Sequence, residues 1–101
     1  MRVIVFFDLP VTTPAGRRQY MNFRKFLVKD GFFMMQESVY CKLANNQSSA
    51  NAIIDQVKRN HPDQGLVQVL TVTEKQYANM EMIVGDRKTD VVVSSERMII
   101  L

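Results

Sequence analysis

The chain has 101 residues, of which 47% are hydrophobic and 23% are charged, and this is the size and composition of one globular domain. Its longest apolar runs are far shorter than the roughly 18 residues of a membrane span, and a single cysteine excludes an intrachain disulfide and a multi-cysteine metal site. The net charge is +3, and residues 1–30 carry six basic side chains against two acidic ones, which favours a phosphate backbone or another acidic partner.

The first predicted element is a strand. Residues 3–7 are a short apolar run of β-branched and aromatic side chains, a pattern typical of a strand that is covered on both faces. Asp8 follows directly, and Pro10 ends the run. Because no small-residue cleavage site follows, we interpret this segment as a strand and not as a signal peptide. We therefore expect a cytoplasmic protein without a membrane anchor.

A first helix is predicted between Thr13-Pro14, a typical N-terminal cap, and Asp30-Gly31, a typical stop. Aromatic residues and a leucine share one stripe of this helix, which we expect to face the core: Tyr20, Phe23, Phe26 and Leu27. Polar and basic residues follow a parallel stripe on another face: Arg18, Asn22, Lys25 and Lys29. The helix is thus expected to have an aromatic core side and a basic ridge.

The next four elements complete a recognisable order. Residues 32–36 and 38–43 predict two strands that form an antiparallel pair. Apolar residues from Ala50 to Val57 predict a second helix, which the sequence Asn60-His61-Pro62 ends. Gly65 opens a fourth strand over residues 66–72. The resulting order βαββαβ predicts an α+β, ferredoxin-like fold, with two helices on one face of a four-stranded antiparallel sheet.

Further elements are predicted after residue 72. The sequence from Thr73 to Gln76 is a capping-box pattern that predicts one helical turn, and residues 80–84 predict a short strand. Two more apolar patches, at Val91–Val93 and Met98–Leu101, exceed what one core needs. We expect them to be strands added at a sheet edge, in this molecule or in a partner.

Several classes of site are excluded. A ferredoxin-like domain of the RNA-recognition type would carry an aromatic- and glycine-rich motif on its third strand, but residues 37–42 have the sequence ESVYCK. The chain contains no glycine-rich phosphate loop, no HExxH motif and no GxSxG motif. His61 is the single histidine, so a histidine cluster is excluded, and we expect His61 to lie at a solvated helix end.

Asp8 is the remaining candidate for chemistry. One interpretation is that its carboxylate bonds nearby backbone amides and starts the Asp-Leu-Pro turn. The other is that it binds a metal, since magnesium is held by one or two carboxylates and keeps several waters. One carboxylate per chain is not enough, but a twofold dimer would supply a second copy of Asp8, and a divalent cation would remove the repulsion between the two. The residues alone leave both interpretations open.

Four segments together resemble the Cas2 family of CRISPR-associated proteins. They are the strand and aspartate of residues 3–8, the Arg17-Arg18 pair, residues 23–27 and residues 31–40. The fourth strand, residues 73–77 and the closing strand are similar to the version found in type II systems, so the resemblance covers essentially the whole chain.

The resemblance implies a homodimer whose C-terminal strands cross onto the partner's sheet. It implies Mg²⁺, or alternatively Mn²⁺, held by Asp8 from each subunit, with Asp8 as the catalytic residue of a metal-dependent endonuclease acting on RNA or double-stranded DNA. We accordingly predict one domain over residues 1–101, with a core of about 1–73 and a dimer-pairing and partner-binding extension of about 74–101.

A second implied role is architectural, because the family's dimer bridges two dimers of the Cas1 integrase and holds spacer DNA during insertion into the CRISPR array. Four basic residues are candidates for contacts to nucleic-acid phosphates: Arg17, Arg18, Arg24 and Lys25. Their spacing fits a solvated helix face equally well. The alternatives to an adaptation nuclease are a non-catalytic DNA-clamping dimer and a ribonuclease toxin of a toxin–antitoxin pair. A small-molecule regulatory domain is disfavoured by the basic first helix.

Overall fold

The computed structural model describes residues 1–85. Its elements in chain order are β1 (Arg2–Asp8), α1 (Pro14–Lys29), β2 (Phe33–Gln36), β3 (Val39–Leu43), α2 (Gln47–Arg59), β4 (Leu66–Val72) and α3 (Glu74–Ala78). The strands predicted at 91–93 and 98–101 lie outside the described residues, so the proposed division into a core and a dimer-pairing extension stays a prediction.

The strands form one antiparallel sheet in the order β2-β3-β1-β4. β1 is therefore an inner strand, paired with β3 on one side and with β4 on the other. Its pairing with β4 runs along the whole strand, from Arg2 opposite Val72 to Asp8 opposite Leu66. This order and the βαββαβ succession confirm the predicted ferredoxin-like α+β fold.

Helix α1 begins and ends where its capping residues predict. The side chain of Thr13 accepts a hydrogen bond from the Gly16 amide at 3.0 Å, and Pro14 occupies the first turn, where its missing amide costs nothing. Asp30 caps the other end. Phe23 and Leu27 are buried, which confirms the predicted core stripe.

The main core lies between the sheet and helices α1 and α2. Val3, Val5 and Phe7 point into it from β1, and both helices contribute buried residues to the same cluster. Because strand side chains alternate between faces, Ile4 lies on the other face, where it packs with Cys41 and with Tyr77 of α3. The predicted burial of β1 on both faces is therefore confirmed at Ile4, and Cys41 is fully buried beside it.

The face of β1 that carries Ile4 is not buried along its whole length. Phe6, on the same face as Ile4, is 36% exposed. The second half of β1 is thus open to solvent on the side opposite the helices, which the apolar run of residues 3–7 did not predict. An unbroken apolar run does not show how far a short covering element extends, and α3 reaches only the first half of the strand.

The end of the described chain differs from the prediction. The capping box at Thr73 and Gln76 is present, but the strand predicted over residues 80–84 is wrong, because this segment pairs with no strand among residues 1–85. Ile83 and Val84 are largely exposed there. An apolar run becomes a strand only when a neighbouring edge hydrogen-bonds to it.

No helix within residues 1–85 is both long and apolar enough to cross a bilayer. The expected cytoplasmic location stays a prediction.

Candidate functional site

Asp8 is the last residue of β1 and lies opposite Leu66, the first residue of β4. By the alternation of the strand its side chain is on the face of Ile4 and Phe6, opposite the two long helices. The carboxylate is exposed and makes no hydrogen bond or ion pair with any residue of the described range 1–85. The turn-capping interpretation of Asp8 is therefore not supported within this range, and the carboxylate stays available to a ligand.

The backbone of Asp8 is held from two sides. On one side, the amide of Phe7 donates to the carbonyl of Ser38 in the β2–β3 turn at 3.1 Å. On the other, Gly65 has a φ of +91°, and a Cβ added to it would lie 2.6 Å from the carbonyl oxygen of Asp8 and 2.6 Å from Leu9 Cδ2. Only a glycine fits this contact without displacement. The carboxylate is thus presented from a fixed strand end.

Sequence reasoning missed the part played by Gly65. The signal was present, since an isolated glycine just before a strand can mark a positive φ or a close backbone approach. What the sequence did not show is the neighbour that makes the glycine necessary.

An apolar patch surrounds Asp8 on the open face of the sheet. Phe6 precedes it on β1, while Leu66 and Leu70 lie on the same face of β4 and are 54% and 52% exposed. Exposed Gln68 lies between the two leucines on this face, opposite Phe6. Large apolar side chains exposed so near one another mark an interaction surface more often than scattered ones do. We call Phe6, Leu66 and Leu70 the open-face patch.

The donor set at this position fits one half of a magnesium site. A hard cation prefers carboxylate oxygens and water, and needs few protein ligands, so an exposed carboxylate free of hydrogen bonds is suited to be one of them. Within residues 1–85 no group of three or more metal-binding side chains comes together. A second copy of the chain would add one more carboxylate to the site.

The structure divides the four basic candidates into two pairs. The Arg17 guanidinium donates to the carbonyl of Val11 at 3.1 Å, and Arg24 Nε donates to the buried Tyr40 hydroxyl at 2.9 Å. Both side chains therefore take part in holding the fold.

Arg18 and Lys25, by contrast, are exposed and have no hydrogen bond or ion pair with another residue of the described range. They are seven residues apart on α1, which is two turns or about 10 Å along one face. The structure thus brings these two together as an available cationic face, and it does not place Arg24 on that face.

A family model and individual relatives were compared with the chain, and both give the same family. The family model described as CRISPR associated protein Cas2 matches residues 1–80. The chain is 54% identical over 101 residues to the CRISPR-associated endoribonuclease Cas2 of Treponema denticola, covering all of both chains. It is 46% identical to the protein of the same name from Streptococcus mutans serotype c, covering 100% of this chain and 93% of the relative. The Ligilactobacillus salivarius protein of that name is 43% identical over the full length of both.

Proposed function

This chain belongs to the Cas2 family of CRISPR-associated proteins, and from that membership we propose that it is an endonuclease that hydrolyses phosphodiester bonds and acts in CRISPR adaptation. The observation that carries the proposal is the exposed Asp8 carboxylate, free of hydrogen bonds within residues 1–85, at a fixed strand end. The relatives' name, endoribonuclease, supports RNA as a substrate. Double-stranded DNA is the second substrate to test.

We propose that the active form is a homodimer paired through the open face of the sheet. Burying Phe6, Leu66 and Leu70 against the same residues of a second copy removes apolar surface from water. This burial contributes a stabilising free energy of about 25 cal/mol per Å² of apolar surface. A twofold arrangement is self-complementary, so it would also place two copies of Asp8 at one interface. This arrangement would supply a second carboxylate beside the first.

In such a dimer Asp8 from each copy would hold Mg²⁺ or Mn²⁺. A metal bound there would polarise the scissile phosphate and lower the pKa of an attacking water. The chain's own contributions are separate from that chemistry. Asp8 provides anionic oxygen ligands, the Gly65 contact fixes their position, and Arg18 and Lys25 would neutralise phosphates of the bound strand.

In adaptation we propose that the dimer binds spacer-precursor duplex DNA and joins two dimers of the Cas1 integrase. A non-catalytic clamp is the second candidate function. It is favoured by the exposed, unpaired Arg18 and Lys25 of the described structure, because phosphate binding by these residues needs no metal. Membership of the Cas2 family favours these two functions over a toxin or a small-molecule regulatory domain.

The test of the nuclease is Asp8→Asn, which removes the charge and nearly preserves the shape of the side chain. Cleavage of labelled RNA and duplex DNA in Mg²⁺ or Mn²⁺ should fall at least about 100-fold, since the substitution removes a carboxylate ligand from each subunit of the dimer, and EDTA should abolish wild-type cleavage. The control is Asp55→Asn, which changes an exposed carboxylate on α2.

Equal cleavage by wild type and Asp8→Asn would place the activity at another site or in a contaminant. Lost cleavage with normal spacer acquisition in cells would favour the clamp.

A second test concerns the cationic face. Binding to duplex DNA should weaken steeply with salt, and the double variant Arg18→Ala, Lys25→Ala should reduce the slope of log K against log salt by about 2 for each chain that contacts the DNA, because each phosphate contact contributes about 0.9. Lys75→Ala, an exposed change on α3, is the control. An unchanged slope in the double variant would move the DNA contact to another surface.

A further inference from the structure

A cleft of about 240 Å³ lies on the helix side of the sheet, away from the face that carries Asp8. One wall is α1, which contributes Gln19, Asn22, Phe23 and Phe26, and the other is the α2–β4 connection at residues 60–63. We call it the amide cleft. A cavity of about 150 Å³ accommodates a benzene-sized ring, so this cleft has room for one heteroaromatic ring system.

Some polar groups of the amide cleft already make hydrogen bonds within the protein, and these bonds show which donors and acceptors are left for a ligand. Gln19 Oε1 accepts from the Asp63 amide at 3.0 Å, which leaves the amide nitrogen of Gln19 as a donor. Asn60 Nδ2 donates to a carbonyl of α2 at 2.8 Å, which leaves its oxygen as an acceptor. His61 Nδ1 lies 2.8 Å from the carbonyl oxygen of Pro62. A carbonyl only accepts, so Nδ1 carries the hydrogen and Nε2 of the neutral ring is an acceptor.

The base of the cleft is aromatic. Phe23 is buried and Phe26 is half-buried, and their rings are nearly parallel, with centroids 6.2 Å apart and an interplanar angle of 26°. Phe26 is the partly exposed ring of this pair, and an aromatic ring beside both donors and acceptors suits a planar molecule that stacks on one side and hydrogen-bonds along its edges. Nucleobases have this chemistry, and stacking on an aromatic side chain is their usual mode in single strands.

The cationic face adjoins this cleft. Asn22 lines the cleft, and it follows Arg18 by four residues and precedes Lys25 by three, so the three share one stripe of α1. Phosphates held by Arg18 and Lys25 would therefore pass beside the opening. We propose that the amide cleft binds one unpaired base of a nucleic acid whose phosphates contact Arg18 and Lys25. This inference rests on the proposed nucleic-acid binding and specifies which feature of the nucleic acid is recognised.

The experiment compares two duplexes of identical length and charge. Each carries a one-nucleotide overhang, which is 2-aminopurine in the first and an abasic residue in the second, so only the base differs. Wild type should bind the first about tenfold more tightly, the size of one stacked base, and the 2-aminopurine emission should change on binding. Asn22→Ala and His61→Ala should each reduce the preference severalfold while leaving the affinity for the abasic duplex unchanged.

Two control variants distinguish recognition of the base from binding of the phosphate backbone. Arg18→Ala should weaken both duplexes by the same factor, and Asn51→Ala, an exposed amide of α2 outside the cleft, should change neither. Equal affinity of wild type for the two duplexes would overturn the inference, as would a preference that survives in both cleft variants.

The inference would also be overturned if adenosine monophosphate alone bound as tightly as the duplex with the 2-aminopurine overhang. That result would indicate a small-molecule site. Absence of binding to either duplex would instead refute the proposed nucleic-acid binding itself, so the two failures are distinguishable.

Discussion

Gly65 and Asp8 meet backbone to backbone where β1 ends and β4 begins. Gly65→Ala would both strain a left-handed backbone and force a methyl group against the Asp8 carbonyl. The strain costs roughly 1–2 kcal/mol and the overpacking a further 1–3 kcal/mol. We expect a loss of about 2–5 kcal/mol in the free energy of unfolding, measured by urea denaturation, together with reduced cleavage because Asp8 is displaced.

Gly85→Ala is the matched control for this change. Gly85 has the same φ of +91°, but a Cβ there would meet no described atom within 4 Å. Gly85→Ala should therefore lower the free energy of unfolding only by the backbone strain, roughly 1–2 kcal/mol. Equal destabilisation by the two variants would show that the close contact between Gly65 and Asp8 does not contribute to the effect of Gly65→Ala.

At the level of single residues, the sequence predicted the position of Asp8 but not its surroundings. Asp8 was identifiable because it directly follows an apolar run. The contact with Gly65 was not, since it depends on pairing between strands far apart in the chain. Arg24 was predicted to contact phosphate because its neighbours are basic, whereas the structure has its guanidinium on Tyr40. Long basic side chains extend along apolar surfaces to such partners, which helix periodicity does not reveal.

Among the elements, α3 is a short helix held to the sheet by a cluster of charges. The guanidinium of Arg2 donates to both carboxylate oxygens of Glu74 at 3.1–3.2 Å and lies 4.0 Å from the centre of the Tyr77 ring. The hydrogen bonds from Arg2, opposed by partial desolvation, lower the pKa of Glu74 from its usual value of 4.5. A five-residue helix has little stability of its own, so this cluster helps to keep Tyr77 over Ile4 and Cys41.

The pH dependence follows from the direction of that shift. A lowered pKa means that the folded state favours the ionised carboxylate, so its stabilisation is present above about pH 4.5 and is lost as the pH falls through the lower folded pKa. Glu74→Gln should therefore reduce the free energy of unfolding at pH 7, by at most about 1 kcal/mol because the Glu74 carboxylate is half exposed to solvent. The difference from wild type should shrink toward zero below the folded pKa.

Denaturation curves at several pH values measure this difference, with Glu37→Gln in the exposed β2–β3 turn as the control. A difference that does not depend on pH would mean that the charge of Glu74 does not anchor α3.

Element boundaries were the most predictable part of the fold. Caps at Thr13 and Thr73 and the glycine before β4 are local signals, and each marks an observed boundary. The strand expected at residues 80–84 failed because strand formation needs a partner, and a partner is not a local property of the sequence. The same reason explains why the exposure of Phe6 was missed, since it depends on how far α3 extends over the sheet.

For the whole molecule, the open-face patch leads to a prediction about assembly. Leu70→Glu would place a charge in the middle of the proposed dimer interface, where it would be buried without a partner. We expect sedimentation to show a shift from dimer to monomer with an unchanged circular dichroism spectrum, since Leu70 is half exposed in the single chain.

Val28→Glu is the control, because Val28 is 53% exposed on α1, away from the open face. A Leu70→Glu protein that stays dimeric would show that the copies pair through another surface.

The position of β1 inside the sheet also affects how the chain folds during synthesis. β1 is made first, and β3 can pair with it early, but its other edge needs β4, whose Val72 lies opposite Arg2. At about 5–20 residues per second, the residues between β3 and β4 take a few seconds to synthesise. During that time the nascent chain has an unpaired edge along its most apolar strand, which another chain could join. Docking of β4 closes this edge and brings Gly65 against Asp8, so the candidate site is among the last parts of the core to form.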